Sequence, residues 1–314
     1  MAVPLEEGSS RPSGITLPMQ VEDRDRLKGM FAPPANPAAE PIANFPLLWY
    51  EEFLQRLVDL EIEVITYRDL FDDSDDWDYR SNYKREFITW RKTVSDPSKR
   101  YLLIQHDVDN HPLFTKRMVA MEAVYGVRSN IFIFRQRYSS ASSDPPYEID
   151  HEFFKEAQRR SFVVGYHQNA LPLAGFDPQR AVEQYRSDVE HLRRLYDISF
   201  VVPHGGVGVE LDGRMIHNLD VPMPVEFEGN LRWVYNGHGV RFADRFSDGG
   251  LRKTRDAQRI KGFDLVGGFL PKLKRGTRNF CLIHPQRWGF NVDPQQNPML
   301  AEEPWYREML ERYQ

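Results

Sequence analysis

The chain has 314 residues, 41% of them hydrophobic and 28% charged, with a formal net charge of −5. That balance belongs to a globular protein of one large or two small domains, and its mild acidity argues against a nucleic-acid partner, which needs a basic face. One cysteine, Cys281, excludes an intrachain disulfide, and no run approaches the ~18 apolar residues of a membrane span. The start MAVPLEEGSSRPSG lacks the basic-then-apolar pattern of a secretion signal, so the expected location is the cytoplasm.

Residues 1–46 are rich in Pro, Ala and polar residues, notably FAPPANPAAEPIANFP (31–46), and are expected to form a flexible arm that at most wraps the surface. Order is expected to begin at 47, in a single domain running to 314. Leu47, Phe53, Leu57 and Leu60 fit one stripe of a helix, followed by EVITY as a strand. The acidic run DDSDDWD (72–78) reads as a solvated loop.

From 101 the chain alternates. YLLIQHD is a strand, and PLFTKRMVAMEAVYG a helix with Phe114, Met118, Met121 and Tyr125 on one face, ended by Gly126. SNIFIF (129–134) is a strand. DHEFFKEAQRR (150–160) is a helix opened by Asp150, and FVVGYH (162–167) the next strand. DPQRAVEQYRSDVEHLRRLYD (177–197) is a helix with Asp177 as cap, Pro178 in the first turn, and Val182, Tyr185, Val189 and Leu192 as its stripe. ISFVVPH (198–204) and NFCLIHP (279–285) are strands. Alternation of this kind predicts an α/β protein with a mostly parallel sheet, open or closed into a barrel.

Chemistry in such folds gathers at the C-terminal ends of strands. Four apolar strands end in polar, metal-competent residues: QHDVD (105–109), GYHQN (165–169), PHGG (203–206) and IHPQRW (283–288). Within QHDVD the period of two sends Asp107 and Asp109 to one side, roughly 7 Å apart at about 3.3 Å per residue. Taken alone, the pair reads equally well as a turn in which the aspartates cap backbone amides. Beside the three histidines it reads as part of a shared site. Zinc and similar divalent metals take imidazole nitrogen and carboxylate oxygen. Asp109 and His167 are the best ligand pair and His204 the natural third. Asp107 is then free to accept a proton from water that the metal acidifies, and His284 to protonate a leaving group. Such a set suits hydrolysis of a carbonyl compound.

HDVD after a hydrophobic strand, then VGYH, PHG and LIHPQRW, resembles the NodB-like polysaccharide deacetylase family (carbohydrate esterase family four), in its His-Asp-Val-Asp branch. The likeness spans about 47–290, with only the short motifs specific. The resemblance implies a distorted (β/α)7 barrel, a divalent metal, usually zinc, and removal of an N- or O-acetyl group from a sugar or glycan-like small molecule. It also implies Asp107 as base, Asp109 and His167 as ligands and His284 as acid. The family's second motif has a further histidine four residues on, where this chain has Leu171, so His204 must stand in for it or merely line the site.

RFSDGGLR (245–252) resembles that branch's late loop, which makes Asp248 a residue to orient His284 or to contact substrate, with a plain turn as the alternative. Tyr166, Trp233, Tyr235 and Trp288 are aromatic residues that could stack on a sugar or simply pack in the core. His238 reads as a loop histidine. His111 is expected to shape the turn after the first motif. Cys281, an odd offset from His284, is expected to face away from the site as an inert core thiol. Metal-free amide hydrolysis on the same scaffold, or a non-catalytic carbohydrate-binding role, are the alternatives.

Overall fold

The computed structural model describes residues 19–70, 96–138, 146–206, 208–234, 242–249 and 268–292. Tyr235, His238, the 72–78 run and the first 18 residues lie outside these. Helices α1 (Val21–Met30) and α2 (Leu47–Asp59) flank the short strand β1 (Phe45–Pro46), and β2 (Ile62–Ile65) and α3 (Tyr67–Leu70) follow. Then come β3 (Arg100–Val108), α4 (Pro112–Val124), β4 (Asn130–Ile133), α5 (His151–Arg159), β5 (Val163–Gln168), α6 (Ala170–Leu173), α7 (Pro178–Arg193) and β6 (Phe200–Pro203). A hairpin of β7 (Val209–Leu211) and β8 (Arg214–Ile216) precedes β9 (Arg232–Trp233), β10 (Arg245–Ser247), β11 (Arg278–Ile283) and β12 (Trp288–Gly289).

Parallel pairing joins the central strands in the order β10-β11-β3-β4-β5-β6-β9, with β2 beside the first half of β3. The sheet curls as a half-barrel, and among the described residues no pairing joins β9 to β10. The fold class is therefore mixed α/β with a parallel sheet. Local chemistry sets the elements: the Asp177 carboxylate accepts from the amides of Gln179 and Arg180 at the start of α7, and Asp150 accepts from Phe153 N at the start of α5. Gly165 on β5 is required by close packing, because a Cβ there would lie 2.4 Å from the Phe132 ring on β4.

Alternation along β3 divides the core. Tyr101 and Leu103 join a large cluster with Tyr67, Phe132, Phe200 and Phe280, while Leu102 and Ile104 pack against α2 and α4 with Cys281 and Ile283. The Cys281 thiol is buried there, and burial pushes its pKa up. Under this outer cluster lies a polar knot with no exposed member. Glu122 on α4 is reached by Tyr50 Oη (2.5 Å), His106 Nε2 (2.7 Å) and Ser129 Oγ (2.6 Å).

The N-terminal segment departs from expectation. Residues 21–30 form a helix that packs on α4 with Leu27 buried, not a flexible arm. Beyond it the Glu40 carboxylate accepts two hydrogen bonds from the Arg117 guanidinium (2.9 and 2.5 Å), and Ala43 and β1 pair in parallel with Val292 and β12. Proline-rich composition suggested an arm because the apolar partners of this segment are distant in sequence. Leu60 caps α2 and is exposed rather than completing its buried stripe. Among the described residues no helix is long and apolar enough to cross a membrane.

Candidate metal centre

Adjacent strands deliver their C-terminal ends to one place. From β10 comes Asp248, from β11 His284, from β3 Asp107 and Asp109, from β5 His167 and from β6 His204. Asp109, His167 and His204 present ligand atoms that all lie within 4.8 Å of one another. His167 Nε2 is 3.0 Å and His204 Nε2 3.7 Å from the same oxygen, Asp109 Oδ1. Phe134, just past β4, stacks on the His167 ring (4.8 Å between centroids) and meets the His204 ring edge-on (5.2 Å).

The other nitrogen of each imidazole has a fixed task. His167 Nδ1 donates to the carbonyl of Val202 (3.0 Å), and His204 Nδ1 lies 3.3 Å from Asn169 Oδ1. A carbonyl can only accept, so Nε2 of His167 is the nitrogen left for a cation. Asp109 Oδ2 accepts from Gln286 Nε2 (3.3 Å), leaving Oδ1 toward the histidines. A carboxylate and two imidazoles so directed fit zinc or a similar divalent metal, with positions open for water or substrate. At position 171 the leucine is fully buried and offers no ligand atom, and the second imidazole of the cluster is that of His204, just past β6.

Electrostatics separates the two aspartates. Burial opposes ionisation of Asp109, yet the His167 hydrogen bond and the fields of His167, His204 and His284 hold its pKa well below the ordinary carboxylate range. Burial raises the pKa of Asp107 despite the nearby His167 and His284, with the Asp109 charge adding to the rise. Asp107 Oδ1 accepts from Gln105 Nε2 (2.7 Å), whose Oε1 accepts in turn from Tyr67 Oη (2.8 Å). His204 is lowered to about 4, first by burial, and stays neutral. For His284 burial is outweighed by the hydrogen bond and charge of Asp248, which raise it to about 9.

Asp248 is fully buried and fully engaged. Its Oδ1 faces His284 Nδ1 (2.5 Å) and Arg287 Nη1 (3.1 Å), and its Oδ2 accepts from His284 N (2.7 Å) and the Trp288 indole (3.0 Å). It therefore orients His284, and the alternative of a substrate-contacting Asp248 does not fit its burial.

Two expected substrate contacts are corrected. Tyr166 neighbours His167 on β5 and so points to the opposite side, where its hydroxyl donates to Asp188 Oδ2 (2.8 Å) in the core. Trp288 is fully buried against Phe45 and Tyr50 and serves Asp248, with no face for a sugar. Trp233 is also buried. His111 takes a left-handed backbone (φ 46°) and opens α4. Sequence reasoning missed Asn169, Gln286 and Gln105, although all three stand inside the strand-end motifs.

Comparison of the chain with models of protein families, with curated proteins and with solved structures found no match. The reading of the site therefore rests on its own geometry.

Proposed function

We propose that the chain is a zinc-dependent hydrolase on a distorted (β/α)7 barrel of the polysaccharide deacetylase type, removing an N- or O-linked acetyl group from a sugar or sugar-containing metabolite. The observation that carries this reading is the convergence of two imidazole Nε2 atoms on Asp109 Oδ1, with a second, higher-pKa carboxyl and a charged histidine alongside. Bound there, zinc supplies a Lewis acid for the acyl carbonyl and lowers the pKa of water.

The chain's own groups divide the proton work. Asp107 is held at Oδ1 by Gln105, so Oδ2 is the oxygen open to a proton, and the raised pKa makes it a better base than an ordinary aspartate. His284 keeps its Nδ1 on Asp248, so Nε2 is the nitrogen that delivers a proton to the departing amine or alcohol. That Nε2 stands 3.9 Å from Asp109 Oδ2.

The second reading, a metal-free amide hydrolase on the same scaffold, is favoured by the direct 3.0 Å contact of His167 with Asp109, an ion pair satisfied without a cation. Metal content separates the two. Elemental analysis of wild type after zinc loading is expected to give about one zinc per chain, falling by about 10-fold or more in Asp109→Ala and His204→Ala. Zinc-loaded wild type is expected to release acetate from acetylated sugars and Asp107→Asn to lose that activity. Absence of zinc in the loaded wild type removes the metal reading. Zinc without acetate release removes the deacetylase assignment alone.

A further inference from the structure

The third ligand is a histidine that works only in one tautomer, and the fold contains a device that selects it. Asn218 lies in the short turn after the β7–β8 hairpin and is 1% exposed. Its Oδ1 accepts from the backbone amide of Leu171 (3.0 Å), a group that can only donate. The other end of Asn218 is therefore the NH2 group. It donates to Asn169 Oδ1 (3.1 Å) and to the carbonyl of His204 (3.1 Å). Receiving that hydrogen bond identifies the Asn169 atom as oxygen, and the same oxygen faces His204 Nδ1 at 3.3 Å. Nδ1 must then carry the proton, and Nε2 keeps its lone pair toward Asp109 Oδ1.

We infer that Asn218 and Asn169 form a polarity relay, started by the backbone N–H of Leu171, that fixes His204 in the Nδ1–H tautomer and so makes it a metal ligand. The inference rests on the metal reading for its purpose, and its geometry is independent of that reading. It explains how a buried leucine can occupy position 171: the main chain there sets the ligand polarity on the neighbouring strand. Gly206 belongs to the same device, since a Cβ at that position would lie 2.6 Å from His204 Nδ1 and Cε1 and displace the ring. Asn169 and Asn218 are positioning residues, acting through His204.

Two substitutions of equal size and charge have opposite expected effects. In Asn218→Asp the introduced carboxylate still accepts from Leu171 N but has no hydrogen to give. The Asn169 amide then turns its NH2 toward that carboxylate, and His204 loses its acceptor at Nδ1. In Asn169→Asp the carboxylate accepts from both His204 Nδ1 and Asn218 Nδ2, and the relay survives. Long-range proton–nitrogen correlation spectra of the full-length, metal-free chain at neutral pH read the tautomer directly. Zinc affinity is read by competition with a chromophoric chelator.

Wild type and Asn169→Asp are expected to show a pyridine-type Nε2 at His204 and similar zinc affinity. Asn218→Asp is expected to shift toward a protonated Nε2 and bind zinc about 10- to 100-fold more weakly. A protonated Nε2 in wild type overturns the inference, as does an Asn218→Asp protein that matches wild type in both readouts. Should Asn218→Asp not fold, the wild-type and Asn169→Asp spectra decide, since a protonated Nε2 in either overturns the relay. The stated tautomers with no zinc bound to wild type would leave the relay standing and overturn the metal reading on its own.

Discussion

His284 and Asp248 form the tightest side-chain pair of the site, Nδ1 to Oδ1 at 2.5 Å, with the backbone N–H of His284 held by the other oxygen of the same carboxylate. Two contacts to one residue fix both the ring's position and its rotation. An imidazole held this way keeps its Nε2 directed toward Asp109.

Asp248→Asn tests that pairing through pH. His284 titrates at about 9 against an ordinary 6.5, mainly because the Asp248 hydrogen bond and charge overcome burial. A raised pKa in the folded state means stabilisation fully present below 6.5 and lost as pH climbs through about 9. In wild type the His284 ring resonances are expected to titrate near pH 9, and melting temperature to fall between neutral pH and that midpoint. In Asp248→Asn the midpoint moves toward the ordinary value and the fall in stability shifts to lower pH with it. An unchanged midpoint in the variant would show that Asp248 does not hold the charge.

Tyr166→Phe separates a core residue from a site residue. The hydroxyl donates to Asp188, which is 1% exposed and also accepts from Gln184 (2.8 Å). Loss of one hydrogen bond to a buried charged group is expected to cost about 1.5–3 kcal/mol in urea unfolding. Zinc affinity and any hydrolytic activity are expected to match wild type. A selective fall in activity with stability intact would return Tyr166 to the substrate side.

Glu122→Ala addresses the buried knot beneath the site. Tyr50, His106 and Ser129 all converge on this one carboxyl, and the change leaves three polar groups without it. At about 1–3 kcal/mol for each group left unsatisfied, the fold is expected to lose several kcal/mol. Chemical denaturation beside Met121→Leu, a volume-conserving change on the same helix, makes the comparison. Equal midpoints for the two variants would mean that water replaces the carboxyl without cost.

How much of this was legible in the sequence varied with the kind of signal. His106 and Asp107 directly follow the apolar run at 101–104, and four strand ends with metal-competent side chains pointed to a shared site before any geometry. The parallel α/β arrangement followed from the same alternation. Tyr166 was misread although period two, applied to its neighbour His167, already placed it on the other side. Trp288 followed His284 too closely in sequence to look like core, but the short turn at 285–287 carries its indole beneath Asp248. Asn218 gave no signal at all. It belongs to a hairpin excursion, and its value depends on three partners at 169, 171 and 204 that only the folded chain assembles.

The seam between the two ends of the described chain bears on how this protein can be handled. Placing a start codon at residue 47 follows the composition boundary, yet it would delete the strand that lies along Trp288 and Gly289 and the carboxylate that neutralises Arg117. The guanidinium, 11% exposed and sandwiched near the Phe114 and Phe290 rings, would be left as a stranded cation. Trp288 would lose the Phe45 ring from one side and, with it, the support for the indole that holds Asp248. Trimming the proline-rich segment thus reaches His284, the proposed acid, through a chain of contacts, and an expression clone must begin upstream of Glu40 to keep that imidazole in place.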